Sequence, residues 1–283
     1  METIDAILRD ARRVLAAGDA ALLLAHVLGK PRVWLYAHGD RALAEPDAAR
    51  FRELSRRRVA GEPVAYLLET AGFWGLELRV TPDTLVPRPE TERLVELALD
   101  RLPGDRSADV LDLGTGSGAI AIALARERPL ARVVATDASA AALAVAEENA
   151  QRLAACRVRF FLGDWWEAVG DSRFDLVVSN PPYIADGDPH LVGDGLPHEP
   201  PAALVSGHDG LDALRCIAAG APAHLRPGGW LLVEHGQDQG DPVRALLRGA
   251  GFGNVATARD LEGRERVTAG CLPGHGRASS GQP

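Results

Sequence analysis

Asp109-Val-Leu-Asp-Leu-Gly114-Thr-Gly116-Ser-Gly118 is the stretch whose reading decides the fold. Asp109–Leu113 has the apolar character of a buried strand, and Gly118–Arg128 reads as a helix. The glycines between them let the backbone approach a ligand closely and adopt dihedrals that a Cβ forbids. The next strand, Val133–Asp137, ends on an acid 23 residues after Gly114. With Ala119 the loop satisfies the loose G-x-G-x-x-G/A fingerprint, and Asp137 is placed to accept hydrogen bonds from both ribose hydroxyls of an adenosine. NAD and S-adenosylmethionine fit these two features equally. A tight turn followed by a helix-capping Asp is the plainer alternative.

Outward from this stretch the alternation continues. Ala140–Leu153 reads as a helix, Val158–Leu162 and Asp175–Ser179 as strands, Leu211–His224 as a helix and Trp230–Glu234 as a strand. Strands separated by helical runs imply βαβ units and a largely parallel, doubly wound sheet. Toward the N-terminus the period changes. Ile4, Ile7, Leu8, Ala11, Val14 and Leu15 share one helical face, Asp19 is placed to cap the run Ala20–Leu28, and Gly29 stops it. A third helical stretch after Pro46 carries Arg56-Arg57-Arg58, read as a solvated face, so residues 1–70 form a small helical bundle. Phe73–Val80 alternates and Thr81-Pro82-Asp83-Thr84 has turn composition, which predicts a β-hairpin linker over 71–87. The small, polar end of the chain, 273–283, reads as a disordered tail.

Composition excludes several classes. At 283 residues, with 46% hydrophobic and 25% charged residues, the chain is neither fibrous nor disordered. No apolar run approaches the ~20 residues of a membrane helix, and the first residues have no signal-peptide core. The three cysteines, Cys156, Cys216 and Cys271, are an odd number at wide spacing. They suit reduced thiols in a cytoplasm and offer no zinc pattern, so no metal is expected. Residues 1–70 carry a net charge of +1 and the remainder −9, a poor footprint for duplex nucleic acid.

Asn180-Pro181-Pro182-Tyr183 separates the two cofactor readings. It follows directly on the strand ending at Ser179, at the carboxyl edge where ligands of open α/β sheets bind. Pro181 holds Asn180 extended, and the two prolines stiffen the backbone while removing two N–H donors. The product is a rigid rim of acceptors, the Asn180 side-chain oxygen and main-chain carbonyls, beside the Tyr183 ring. Such a rim suits a planar –NH2 group, whereas hydride transfer has no need of it. An amide nitrogen is a poor nucleophile because its lone pair is delocalised. Acceptors on both N–H bonds orient it and stabilise the charge that grows on methyl transfer. No strong base is needed, so His190, His198 and His235 are read as loop or supporting residues.

With this tetrapeptide downstream of Asp112–Gly118, the chain resembles the class I S-adenosylmethionine-dependent amino-methyltransferases, and more closely the release factor glutamine methyltransferase family. The matching segments are Glu62–Tyr66, Phe73-Trp-Gly75, Leu85-Val-Pro-Arg-Pro-Glu-Thr-Glu92, Asn180–Tyr183, Glu199-Pro200, Gly228–Gly236 and Arg266-Val-Thr. They span about residues 4 to 272. The 87–92 and 234–236 segments together are the specific ones, because Asn-Pro-Pro-Tyr is shared with DNA adenine methyltransferases. Departures occur at Glu69, within 186–197 and at 260–263.

The resemblance implies a Rossmann-like methyltransferase sheet, mostly parallel with an antiparallel edge hairpin, over 88–272. It implies methylation of the glutamine in the Gly-Gly-Gln motif of peptide chain release factors, which are met by the N-terminal helical domain. By motif position Gly114, Thr115, Gly116, Ser117 and Gly118 bind the cofactor, Asp137 its ribose, and Trp165 lies near the adenine. Asn180 contacts cofactor and substrate, and Pro181, Pro182 and Tyr183 complete the glutamine pocket; Asn180, Pro181 and Tyr183 form the catalytic set. Arg88 and Glu90 either shape the site or open a helix behind Pro89. A cytoplasmic monomer without direct nucleic-acid or membrane contact is expected. The alternatives are a nucleic-acid adenine or guanine amino-methyltransferase and a non-methylating adenosine-cofactor protein, either an NAD oxidoreductase or a ligand sensor.

Overall fold

The structure is a computed structural model that describes residues 2–193 and 195–274. Two units divide the chain: Met1–Ala71 with His190–His198, and Gly72–Pro189 with Glu199–Pro283.

The smaller unit is helical. Helix α1 (Ile4–Ala11) is capped by the Thr3 hydroxyl, which accepts from the Ala6 N–H at 3.3 Å, and it buries Ile4, Ile7, Leu8 and Ala11. The helix ends sooner than the apolar stripe suggested, so Leu15 is buried but Val14 is 67% exposed. Helix α2 (Ala17–Leu28) begins before the expected run. Asp19 therefore lies inside its first turn and does not cap it, and its carboxylate accepts from Arg58 Nε at 2.8 Å. Gly29 ends α2 at φ +60°, a left-handed conformation that costs a glycine little. Helices α3 (Arg32–Ala37), α4 (Glu45–Val59) and α5 (Val64–Leu68) follow. Leu23, Leu24, Leu35 and Phe51 close the core of this unit. Arg56 and Arg57 on α4 pair with Glu53 and Glu62 at the surface, which agrees with a solvated face for these two, whereas Arg58 turns inward onto Asp19 with its side chain only 15% exposed.

Strands β1 (Thr70–Phe73) and β2 (Leu76–Arg79) form the hairpin. Its reversal is the two-residue turn Trp74-Gly75, at φ +51° and +66°, and not the 81–84 segment. A tryptophan there is unusual because its Cβ disfavours positive φ. Two acids hold it: Glu92 accepts the Trp74 backbone N–H at 2.7 Å, and Glu127 accepts the indole N–H at 3.0 Å. The division between units falls at Ala71/Gly72, so most of the expected linker belongs to the larger unit. Asn149, fully buried, ties β2 down. Its side-chain oxygen accepts from the Arg79 N–H at 2.7 Å, and its NH2 donates to the carbonyls of Arg79 and Ser117, both at 2.9 Å.

The remaining elements are α6 (Glu92–Leu99), β3 (Asp109–Leu113), α7 (Ala119–Glu127), β4 (Arg132–Asp137), α8 (Ala140–Arg152), β5 (Arg159–Leu162), β6 (Phe174–Ser179), α9 (Asp212–His224), β7 (Leu225–Glu234), α10 (Gly240–Gly249), β8 (Gly253–Arg259) and β9 (Glu265–Cys271). Among the described residues one sheet has seven strands in the order β5-β4-β3-β6-β7-β9-β8. The first five run parallel, and β9 and β8 add an antiparallel edge. Side chains alternate between two cores, as the period of a strand requires. Val110, Val133, Leu176 and Val178 join α6 and α7, while Leu111, Leu113, Val177 and Val233 join α9 and α10. Each fully buried Leu or Val contributes ~1.5–3 kcal/mol. The chain winds outward from β3 to β5, then crosses back to β6 on the other side of β3. The crevice at this switch point lies over the carboxyl ends of β3 and β6. Of the tail expected over 273–283, residues 275–283 lie outside the described residues.

Candidate active site

A cavity of about 510 Å³ opens at the switch point, within the larger unit. That volume suits a cofactor-sized ligand. Its floor is the glycine loop. Gly114 and Gly116 have φ of +72° and +55°, the conformations for which glycine was read from the sequence. The loop is fastened from below: the Gly114 and Thr115 N–H groups both donate to the Thr136 carbonyl at 2.9 Å. The Thr115 hydroxyl donates to Asp112 Oδ2 at 2.7 Å. Burial pushes the Asp112 carboxyl up to about 7, against the lowering effect of that hydrogen bond.

Asp137 lines the cavity from the end of β4. Its Oδ2 accepts the Gly116 N–H and its Oδ1 the Ser139 N–H, both at 2.9 Å. A carboxylate offers about four lone-pair directions, so capacity remains for a ligand's hydroxyls. Trp165, held at φ +43°, lays its ring 3.8 Å from where a Cβ on Gly114 would sit. A flat apolar wall thus stands over the loop. Ser117 also lines the cavity. Gly118 does not; it lies where α7 meets α8, and a Cβ on it would come within 2.9 Å of Ile122 and 3.2 Å of Ala146.

The 180–183 segment continues β6, and the structure places its four residues differently. Asn180 and Pro182 line the cavity, Pro181 is buried beneath, and Tyr183 sits behind with its ring against the second core. The Asn180 NH2 donates to Thr91 Oγ1 at 3.1 Å, while its Oδ1 is buried without a partner. An orphaned buried acceptor is costly, and this one belongs to the residue from which an acceptor rim was inferred. Burial raises the Tyr183 phenol above its ordinary range, so it stays a proton donor.

Behind the rim stands Glu234, at the end of β7 and only 1% exposed. The register Ser179↔Val233 makes it the neighbour of Asn180 across the β6–β7 ladder. Its Oε2 is buried without a partner, and burial pushes the group up to about 7, against the lowering effect of Thr91, Arg266 and Tyr183. Over the cavity runs the segment 82–91, held by Glu199. Glu199 is buried, accepts the Val86 N–H at 3.0 Å and pairs with Arg88. Arg88 thus braces this strap, and Pro89 opens a short 3-10 turn leading into α6.

Sequence reasoning had not singled out Thr91, Asp112, Glu199 or Glu234. Their only signal was membership of the matched segments, since each acts through a partner distant in the chain or hidden by burial. His235 is fully buried. Its Nδ1 donates to the Gly236 carbonyl and its Nε2 accepts from Thr268, both at 2.8 Å, while burial lowers its pKa. His190 and His198 belong to the smaller unit. None of the three lines the cavity. No group of three or more His, Cys, Asp or Glu among the described residues could hold a metal ion, and no helix there is long and apolar enough to cross a membrane.

Two family models match: the methyltransferase small domain over residues 92–207 and the PrmC N-terminal domain over 2–68. A release factor glutamine methyltransferase of Xylella fastidiosa (strain Temecula1) is 56% identical over 95% of this chain and 98% of its own. That of Pseudomonas aeruginosa is 50% identical over 95% and 99%. Among solved structures, the T. thermophilus 16S rRNA N2 G1207 methyltransferase in complex with AdoMet and guanosine is 25% identical, with a TM-score of 0.54. That match covers 71% of this chain and 49% of the other. Identity at this level over nearly the full length of both chains leaves one assignment: the chain belongs to the release factor glutamine methyltransferase family.

Proposed function

We propose that the protein transfers a methyl group from S-adenosylmethionine to the side-chain amide nitrogen of the glutamine in the Gly-Gly-Gln motif of peptide chain release factors. The observation that carries this reading is Asn180 Oδ1, a buried acceptor without a partner on the wall of a cofactor-sized cavity. A carboxamide NH2 is the group that would satisfy it.

The cavity fits S-adenosylmethionine. Gly114 and Gly116 offer a backbone that a ligand can approach closely, Asp137 two oxygens for a ribose diol, and Trp165 a face for an adenine. When bound, this cofactor supplies a methyl carbon already activated by a sulfonium. The protein's task is to present the nitrogen. Asn180 Oδ1 takes one N–H and a main-chain carbonyl of the proline rim the other, which turns the nitrogen lone pair toward the methyl carbon. Both acceptors strengthen as positive charge develops on nitrogen, and prealigned dipoles stabilise such charge without reorganising. The surplus proton leaves after transfer, so no strong base is required.

The helical unit 1–71, matched by the PrmC N-terminal domain, meets the release factor in this reading. The protein works as a monomer in the cytoplasm, where Cys156, Cys216 and Cys271 stay free thiols, as they are here. The nucleic-acid and oxidoreductase alternatives are not favoured by relatives at this identity. Incubation with methyl-labelled S-adenosylmethionine and purified release factor, followed by mass mapping, tests the assignment. One methyl on the Gly-Gly-Gln glutamine is expected; label on another residue, or none, refutes it.

A further inference from the structure

Two stretches outside the sheet complete the lining of the cavity. Pro82, Leu85 and Pro87 come from the 82–91 strap, and Pro200, Ala202 and Ala203 from the stretch that follows Glu199. The strap has few fastenings of its own. Pro87 and Pro89 have no N–H, and among the described residues those of Leu85 and Arg88 find no protein acceptor. The Val86 N–H does: it donates to Glu199 Oε2 at 3.0 Å, while the Arg88 guanidinium donates to Oε1 of the same carboxyl. The other side of this tie is held firmly. The Ala203 and Leu204 N–H groups donate to the carbonyls of Pro200 and Pro201 at 2.9 and 3.0 Å, and a parallel bridge joins Val205 to Ile184, the residue after Tyr183. One side chain, 1% exposed, therefore fastens the strap to a stretch anchored beside the 180–183 rim. The fastening sits at the wall itself, since Leu85 and Pro87 flank Val86 and Pro200 follows Glu199.

We propose that Glu199, through Arg88 and the Val86 N–H, is a positioning residue for the cofactor: it pins the strap over the cavity and so sets how long S-adenosylmethionine stays bound. This rests on the reading of the cavity as the cofactor site. A carboxylate suits the task because its two oxygens accept in different directions at once, one from the main chain and one from a cation. Glutamine has the same shape but a single acceptor oxygen. With that oxygen on the Val86 N–H, its NH2 would face the Arg88 guanidinium, donor against donor, and half of the tie would be lost.

The test uses the full-length protein without release factor, so its outcome does not depend on the substrate assignment. Protein loaded with labelled S-adenosylmethionine is chased with excess unlabelled cofactor, which gives koff, and calorimetry gives the number of binding sites. A hydrogen bond to a charged group is worth about tenfold or more in an equilibrium, so Glu199→Gln is expected to raise koff about tenfold with one site per chain retained. Breaking one side of a buried ion pair also strands the other charge. Glu199→Gln/Arg88→Gln strands neither, and it keeps the test open should the single variant fail to fold. Its koff should also rise about tenfold, and Arg88→Gln should follow it, because all three variants undo one tie. A koff within about twofold of wild type in the double variant overturns the proposal. So does a loss of sites in which the remaining sites release cofactor at the wild-type rate, which is what a merely structural role would give. If the koff increases of the two single variants multiply in the double, the two residues act separately and the shared tie is refuted. The cavity reading has its own control: Asp137, elsewhere on the lining, should weaken cofactor binding when replaced by Ala, and an unchanged Kd there overturns that reading and the clamp with it.

Discussion

Replacing Glu234 by Gln should flatten the pH dependence of stability. The carboxyl is buried, and its pKa lies at about 7 against the usual 4.5, because desolvation penalises its charged form. Thr91, Tyr183 and Arg266 favour the charged form, and Glu90 opposes it. A raised folded-state value means that the unfolded chain releases its proton first. Stability is therefore full below about pH 4.5, falls as pH rises toward 7, and levels off above. One pH unit of difference is worth about 1.4 kcal/mol, so the gap amounts to about 3 kcal/mol, of which roughly 2–3 kcal/mol falls between pH 5 and pH 8. Glutamine keeps the shape and cannot ionise, which removes this loss. Asp112 is likewise raised to about 7 by burial, but it titrates in both proteins and cancels from the difference. The assay is urea unfolding followed by tryptophan fluorescence; Trp74, Trp165, Trp166 and Trp230 all lie in the unit that holds Glu234. Relative to wild type, Glu234→Gln should gain roughly 2–3 kcal/mol on going from pH 5 to pH 8. Parallel stability profiles for the two proteins would refute the burial argument.

Three further outcomes are expected. Asn180→Ala should hold the cofactor within about tenfold of wild type yet lose ~10²–10³ in turnover, the cost of a preorganised polar contact; wild-type turnover in a single-turnover assay removes its role. Asp137→Ala should weaken cofactor binding by ~1.5–3 kcal/mol, the worth of charged hydrogen bonds, as read by calorimetry, and an unchanged Kd counts against the ribose contact. Gly118→Ala places a methyl 2.9 Å from Ile122 at φ +85°. Left-handed strain of ~1–2 kcal/mol and overpacking of ~1–3 kcal/mol should lower the urea midpoint, and an unaltered midpoint shows that α7 and α8 can yield.

The central sheet was legible because most of its parallel strands contain a short apolar run that ends on or beside glycine or an acid, and because Gly114 and Asp137 sit at fixed offsets from strand ends. Where reading failed, a tertiary partner had overruled local composition. Thr81–Thr84 has turn residues, yet the hairpin reverses at Trp74, whose strained conformation is held by Glu92 and Glu127. Asp19 looks like a cap and instead meets Arg58 on another helix. Within 180–183 the acceptor at Asn180 could be inferred from prolines that remove N–H groups, but nothing local shows that Pro181 is buried or that Tyr183 faces Glu234. Thr91, Glu199 and Glu234 act across separations that no short window spans. Glu199, for example, reaches Val86 and Arg88 more than a hundred residues back.

Asn149 joins the hairpin to the glycine loop with a single side chain that answers three main-chain groups at once. Aspartate would forfeit both donors, glutamine would overshoot by a methylene, and leucine would strand all three groups away from water. Each of these exchanges therefore leaves at least one buried main-chain group without its partner, a cost of ~1–3 kcal/mol. One side chain thus couples a hairpin rooted in the core by Phe73, Leu76 and Leu78 to the ligand cradle.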